Sequence, residues 1–373
     1  MKKYLFILPV IPNYRLKLFR RVSEIFQNLE ILAGTHQCIG PSSAKESNKI
    51  ASLNHNVICL FSQKIMWQKN ISLSSKYKKG DVVLISGNPR ILTNYLIIVL
   101  AKYRGLKIVW YGQGWTAGSN NLRNFIKRIV MSFCDVVILY TEKEAQNINL
   151  FFFGDKKIHF LNNTVDTEDI FSIKKKITKN MLNNFLEQNS LEEKKIILFV
   201  GRLEGKESLN VLLDSFNKVL SKIENAFLVV IGSGSMTSEY KERSINNGIS
   251  HNILWLGPEY KEKDLAYWFL VSHCFVYPGA IGLSLLHAFS YSLPVITHNN
   301  LKNHMPEISA FKDTHNGLMF KEGNDDDLAN KIEKMLSDND MRKNLSINAL
   351  ETVKDSFTFE QMLRRFEVAL NDA

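Results

Sequence analysis

Between Phe275 and His298 the chain reads FVYPGAIGLSLLHAFSYSLPVITH, a spacing of small, apolar and hydrogen-bonding residues suited to holding a phosphate group. Phe275 to Tyr277 is a short apolar run halted by Pro278 and Gly279. Ala280-Ile281-Gly282 is slim enough to bring main chain against a ligand before Leu283 opens a helix. The first amides of a helix lack an internal acceptor and lie at the positive end of its dipole, so Gly279, Ile281, Gly282, Leu283 and Ser284 are candidate contacts to a diphosphate. Leu285, Leu286, Ala288 and Phe289 then form an apolar face, and Leu293-Pro294-Val295-Ile296 returns as a buried strand. A plain strand-helix-strand unit with a tight turn accounts for the same residues, so the ligand reading needs support from the rest of the chain.

The elements that would position this loop follow from apolar runs alternating with helical patterns in both halves, the mark of parallel α/β sheets. In the first half Tyr4–Leu8, Val82–Gly87, Lys107–Trp110, Asp135–Leu139 and Ile158–Leu161 read as strands or strand-turns, with helices over Leu16–Phe26 and Leu92–Tyr103. The second half restarts at Ile196–Val200 and continues through Phe227–Ile231, Ile253–Leu256, Cys274–Tyr277 and Val295–Thr297. A polar, charged stretch near 168–195, with Lys174-Lys175-Lys176, carries no sheet signal and marks a boundary. The expected fold class is α/β, with two Rossmann-like domains whose parallel sheets face an inter-domain cleft. The first domain is 1–175, the second 176–350, and a C-terminal helix in 351–373 packs back toward the first.

With 373 residues the chain exceeds one comfortable core, and 45% hydrophobic with 23% charged residues describe a globular protein, not a disordered one. Lys and Arg (47) exceed Asp and Glu (37), leaving +10, which favours an anionic partner: a nucleotide diphosphate, a phosphorylated lipid, a membrane surface or nucleic acid. Cys38, Cys59, Cys134 and Cys274 are scattered without metal spacing, which fits a reducing cytosol. The start, Lys2-Lys3 before Tyr4 to Pro12, lacks a cleavage site and suits a first buried strand, and no stretch approaches the roughly 20 apolar residues that span a bilayer.

The second half resembles the family-four glycosyltransferases of GT-B fold, most closely from Ile196 to Gly317. FVGRLEGKESLNVLLDSF is similar to that family's strand, Gly-Arg-Leu turn and helix-opening lysine; the resemblance assigns Gly201 to the donor site and Arg202 and Lys206 to the donor's phosphates. A departing nucleotide diphosphate gains negative charge as the glycosidic bond breaks, and fixed cations favour that state, Arg202 as a planar fork and Lys206 as a point charge. FLVVIGSGS carries Gly232 and Gly234, where the resemblance implies close approach of the nucleotide to the backbone. ILWLGP places Leu256 on the strand whose edge receives the base.

At the family's Glu-x7-Glu element the chain departs from the pattern, holding Gly279 and His287 in place of both carboxylates. The resemblance implies that the first positions the donor sugar and the second accepts from ribose hydroxyls. A neutral imidazole still accepts one hydroxyl proton, and a place one turn into the helix is expected to keep His287 neutral near pH 7. A histidine on a half-buried helix face explains it as well. Glu307 and His298 are further candidates for the donor sugar, whereas His304 and His315 read as surface-loop residues. Asp325-Asp326-Asp327 before Leu328-Ala329 reads as a helix start, not a metal site. The resemblance implies no catalytic metal and no cofactor beyond the nucleotide-diphosphate sugar as co-substrate.

The first half would supply the acceptor side. Asn13 and Arg15 lie between the first strand and first helix, where an open sheet forms its crevice, and Arg15 is either an acceptor-phosphate ligand or a solvated cation. In Tyr111-Gly112-Gln113-Gly114-Trp115, the resemblance puts Gln113 where the family has a histidine near the reacting sugar; glutamine keeps the hydroxyl contact but not proton transfer. Trp115 offers an apolar face to sugar or lipid, or fills the core. Leu122, Phe125, Ile126 and Ile129 form one stripe of a helix whose other face carries Arg123, Lys127 and Arg128. Such a helix lies on an anionic membrane, at about 1 kcal/mol per cation, or packs its stripe on the sheet.

These residues and the resemblance together imply a retaining glycosyltransferase that moves a sugar from a nucleotide-diphosphate sugar to a lipid-linked saccharide in bacterial O-antigen or capsule assembly. It would be cytoplasmic, with peripheral contact to the inner face of the plasma membrane. The alternative is a sugar-nucleotide-binding homologue without activity. No helix-turn-helix, zinc or aromatic-basic motif points to nucleic acid.

Overall fold

Two parallel sheets, each built from nearly continuous apolar runs, organise the chain. The computed structural model describes all residues except 36–42, 56, 61–64, 115–120, 149–156 and 206–207, and the side chains of 45, 53–55 and 121–123. Contacts divide it into unit 1, Met1–Asn162 with Glu360–Ala373, and unit 2, Asn163–Phe359.

Unit 1 contains β1 (Tyr4–Leu8), α1 (Asn13–Ile25), β2 (Leu29–Gly34), β3 (Ser52–His55), β4 (Val57–Leu60), β5 (Ile65–Gln68), β6 (Val82–Ser86), α2 (Leu92–Tyr103), β7 (Lys107–Gly112), α3 (Asn121–Ser132), β8 (Val136–Leu139), α4 (Glu142–Asn147) and β9 (Lys157–Phe160). Seven strands form one sheet in the order β3-β2-β1-β6-β7-β8-β9, while β4 and β5 pair as an antiparallel hairpin that the sequence reading did not include. Unit 2 holds α5 (Thr167–Lys176), α6 (Lys179–Gln188), β10 (Lys195–Val200), α7 (Leu209–Leu220), β11 (Ala226–Ile231), α8 (Thr237–Asn246), β12 (Ile253–Gly257), α9 (Glu262–Val271), β13 (Cys274–Tyr277), α10 (Leu283–Ser290), β14 (Val295–His298), β15 (Gly317–Phe320), α11 (Asp325–Ser337) and α12 (Asn339–Ser356). Its six strands run in the order β12-β11-β10-β13-β14-β15, all parallel. The last helix, α13 (Phe359–Asn371), sets Phe366 edge-on to Phe6, Phe19 and Tyr111 in the core of unit 1.

The division falls at Asn162/Asn163 rather than 175/176, because the polar stretch after it forms α5, whose Ile170 is buried in the core of unit 2. It returns to unit 1 at Glu360 rather than 351, since Ala349, Val353 and Phe357 belong to that same core. Both faces of the unit 2 sheet are covered, as parallel strands require. Alternate residues feed opposite cores: Leu198, Val229 and Phe275 meet α9 and α10, while Ile197, Val230 and Val276 meet α7 and α11.

Three expectations fail in unit 1. The stripe on α3 does not pack on the sheet at its middle: Phe125 and Ile126 are exposed and Ile129 is half-buried, the side chain of Leu122 being outside those described, while Lys127 is buried with Val130 and Met131, its ammonium pushed down to about 8 by burial against the opposing pull of Glu144. Arg15 is neither solvated nor a surface phosphate ligand; it is buried over the rings of Tyr111 and Tyr140, with Nη1 3.6 Å from Met362 Sδ. The cysteines are not all unpaired: Cys134 and Cys274 are buried thiols, but Cys59 is disulfide-bonded.

Candidate functional site

In an open parallel sheet a crevice forms where connections leave adjacent strands in opposite directions. In unit 2 that point lies between β10, which leads to β11 on one side, and β13, which leads to β14 on the other. The loops there are Gly201-Arg202-Leu203 and Gly279 to Gly282, two of the segments singled out by sequence.

The β10 loop is laced to the loop after β11. Leu203 N donates to Ser233 O at 3.1 Å, Met236 N to Leu203 O at 2.9 Å, and Gly201 N to Ile231 O at 3.0 Å. This contact gives the glycines their reason: Gly232 has φ +145°, and a Cβ there would sit 1.8 Å from Gly201 O; at Gly234 it would sit 2.2 Å from Leu203 O. The small residues therefore admit a neighbouring backbone. Arg202 extends from this loop with 74% of its side chain exposed and, among the described residues, pairs only with Glu204, at 3.9 Å. Lys206 lies outside the described residues.

Gly279 is buried, and Gly282 caps α10, with no side chain bonded to the helix start. Among the described residues nothing accepts from the amides of Gly282, Leu283 and Ser284. Ile281 differs: its amide donates to His304 Nδ1 at 3.2 Å, so it is not open to a ligand. His304 is not a surface-loop residue but fully buried, and its Nε2 donates to His298 O at 2.8 Å, which fixes the neutral tautomer with Nδ1 as acceptor. Burial pushes its pKa down to about 4. Its ring stacks on His298 at 3.7 Å. His298 is itself buried, so it backs the loop rather than lining it.

Beside the helix start stands Glu307, at the head of a short turn, Pro306–Ala310. A Cβ on Gly282 would lie 3.8 Å from its Oε2, and its Oε1 accepts from Asn163 Nδ2 at 2.6 Å. Among the described residues, Asn163 Oδ1 and Thr164 Oγ1 are buried without a partner. Asn163 was not foreseen, since it lies 144 residues from Glu307 in sequence.

His287 departs from its expected role. It lies in the last turn of an eight-residue helix, and Nε2 is 2.8 Å from Glu262 Oε1, which also accepts from Tyr291 Oη at 2.6 Å. Burial pushes the Glu262 carboxyl up, but the hydrogen bonds from His287 and Tyr291 and the charge of His287 outweigh it and hold it below the ordinary range. An ionised carboxylate accepts only, so His287 donates to it through Nε2 instead of accepting from ribose there. Leu256 is exposed near the end of the edge strand β12.

The acceptor-side candidates lie in unit 1. Asn13 is exposed at the head of α1, and Gln113 is partly buried after β7. The turn holding Gln113 is fixed by Gly114 N, which donates to Glu144 Oε1 at 2.6 Å, while Glu144 closes a capping box with Thr141. Trp115 lies outside the described residues. Asn324 caps α11 by accepting from Asp327 N at 2.9 Å, with Asp325 and Asp326 in its first turn beside Lys218. Among the described residues no three His, Cys, Asp or Glu side chains are grouped to hold a metal.

Residues 181–352 match the family described as glycosyl transferases group 1. An uncharacterized glycosyltransferase of Methanocaldococcus jannaschii is 26% identical over 46% of this chain and 44% of its own length. A Campylobacter jejuni α-1,4-N-acetyl-D-galactosaminyltransferase, named for an undecaprenol-diphosphate-linked saccharide, is 26% identical over 62% of this chain and 58% of its own length. The chain thus spans less than two thirds of these relatives. Among solved structures, Anabaena HepE in complex with UDP superposes with a TM-score of 0.72 at 13% identity, over 100% of both chains, which shows the fold to be GT-B.

Proposed function

We propose that this chain, a GT-B protein whose residues 181–352 carry the glycosyl transferases group 1 signature, is a retaining glycosyltransferase using a nucleotide-diphosphate sugar. The observation that carries the reading is the set of amides at Gly282, Leu283 and Ser284, beside the sheet's switch point and without an acceptor among the described residues. A diphosphate satisfies them and is favoured by the helix dipole. Arg202, which among the described residues makes only the long contact to Glu204, would close on the same group. Glu307, at the helix start, is placed to accept from donor-sugar hydroxyls.

In the proposed step an acceptor hydroxyl attacks the anomeric carbon from the side of the departing diphosphate. The new C–O bond forms as the bond to the phosphate oxygen breaks, that oxygen takes the hydroxyl proton, and configuration is retained. Such a step needs no protein base, which suits Gln113, and no resident metal is part of it. The acceptor we infer is a lipid-linked saccharide of a bacterial surface polysaccharide such as O-antigen or capsule, a reading supported by the name of the Campylobacter relative.

Peripheral contact with the cytoplasmic face of a membrane belongs to the same proposal. No helix among the described residues is long and apolar enough to cross one. In unit 1, however, α2 is apolar on both sides: Ile97, Ile98 and Ala101 face the core, while Leu92, Leu96, Val99 and Tyr103 are exposed. A helix that is hydrophobic all round wants cover. Neither α2 nor α3 carries an acidic residue, which favours an anionic surface. Flotation with anionic liposomes at low and high salt tests this; absence of salt-sensitive binding discards it.

A thermal-shift panel of UDP, GDP and their sugars tests the donor reading, since a ligand at 100 times its Kd adds about 2.7 kcal/mol. Stabilisation by no nucleotide overturns it. Binding without transfer to any lipid-linked saccharide would favour an inactive homologue, the reading suggested by the loss of carboxylates at Gly279 and His287.

A further inference from the structure

We propose that unit 1 carries a site for a small organic phosphate between its edge strand β9 and the last helix, α13, with Arg364 and Arg365 as the anion's ligands. A cavity of about 350 Å³ opens there, lined by residues 158–160 of β9 and by Gln361, Arg364, Arg365 and Val368 of α13. All of them belong to unit 1. The helix residues recur at i, i+3, i+4 and i+7, so one face of α13 forms the wall, while Met362, Phe366 and Ala369 turn into the core. Among the described residues no acidic side chain lines the cavity.

The chemistry of the wall selects the ligand. Arg365 is half-buried and held in place: Nη1 donates to Leu161 O at 3.1 Å, and the guanidinium lies over the Phe160 ring, 5.2 Å from its centroid. Burial lowers its pKa against the opposing pull of Glu142, so an anion beside it favours the charged form. Arg364 is exposed and makes no ion pair among the described residues. His159 Nε2 lies 3.0 Å from Asp372 Oδ2 but out of line for a hydrogen bond, and it is buried without a hydrogen-bond partner among the described residues. A phosphate oxygen supplies the acceptor it lacks. Guanidiniums meet phosphate as planar forks, and a cavity near the lower end of the range of about 300–1,000 Å³ typical of small-molecule sites holds more than a bare ion. Ile158 and Val368 offer apolar wall to the carbon part of such a ligand. None of these residues belongs to unit 2, so the site stands independently of the donor reading. A soluble phosphate ester and a lipid headgroup share this chemistry, and the test separates them.

The full chain is titrated by calorimetry with glycerol 3-phosphate, with glycerol as the phosphate-free control, while NMR follows the His159 ring. Co-sedimentation with phosphatidic acid vesicles, against phosphatidylcholine vesicles, tests a lipid-borne phosphate. Glycerol 3-phosphate should bind and shift the His159 ring, and glycerol should do neither; binding to phosphatidic acid vesicles alone assigns the site to a headgroup. Arg365→Lys, which keeps the charge and loses the fork, should weaken the binding about tenfold. Arg364→Ala should weaken it about fivefold, and being exposed it serves if Arg365→Lys does not fold. Arg202→Ala, in unit 2, should leave it within about twofold. Binding of neither probe, binding that both unit 1 variants leave unchanged, or binding that Arg202→Ala removes overturns the assignment.

Discussion

Acidification from pH 7.5 to pH 5 should weaken unit 2 through His304, buried behind the α10 loop, and His273, half-buried at the opposite edge of the sheet where its Nδ1 accepts from Ile196 N. His304 and His273 are both held near 4 by burial, against 6.5 when free. In that interval the unfolded chain binds a proton at each imidazole and the folded chain does not, so stability is full above pH 6.5 and falls as pH drops toward 4. Integrated between pH 7.5 and 5, each histidine costs about 2 kcal/mol, or about 4 kcal/mol for the pair. Glu262 and Asp135, whose carboxyls are held below their ordinary values, give up their contribution only in more acidic solution, so the interval isolates the imidazoles. Local consequences are specific: protonated His304 Nδ1 becomes a donor, loses the Ile281 amide, and meets the stacked His298 ring as a charge. Guanidinium denaturation at the two pH values reads the total, and hydrogen exchange of the Ile281 amide reads the loop. His304→Gln should remove about 2 kcal/mol of the pH-dependent loss, to which His298, whose pKa burial also lowers, contributes as well. Equal stability at both pH values, or an unchanged loss in H304Q, would refute the reasoning.

Gly232→Ala should destabilise by about 3 kcal/mol or more, because its Cβ meets Gly201 O at 1.8 Å and its φ is +145°; an unchanged melting temperature would contradict the contact between the two loops. Arg202→Ala should leave stability within about 0.5 kcal/mol yet weaken nucleotide-diphosphate binding about tenfold or more, read by denaturation and calorimetry on the same preparation. Burial holds Lys127 near 8, so the unfolded state binds more protons between pH 8 and 10.5 and stability rises with pH across that window. Lys127→Met should flatten that rise and add about 1–3 kcal/mol at pH 7, and a persisting alkaline slope would show that the side chain is not buried as a cation.

Much of the frame is local and therefore legible. Apolar runs such as IILFV and FLVVI are strands because both faces are covered, and Gly-Arg-Leu and the start of α10 at Leu283 follow from turn chemistry within a few residues. The stripe on α3 was legible as a stripe, but not the direction it faces. The same spacing fits a helix with either side inward, and here Lys127 turns in, where the charge of Glu144 favours its ammonium. Arg15 likewise reads as a surface cation until the rings of Tyr111 and Tyr140 close over it.

By itself the amino-acid sequence determined the two parallel sheets, the strand-end glycines and the helix start that suits a diphosphate, because each depends on neighbours a few residues apart. Tertiary structure alone decided which polar groups are committed to one another. Glu262 meets His287 across 25 residues, His304 meets Ile281 across 23, and Asn163 meets Glu307 across 144. A buried hydrogen bond fixes what a side chain can still offer a ligand, and no periodicity along the chain records which distant partner folding will bring within hydrogen-bonding distance.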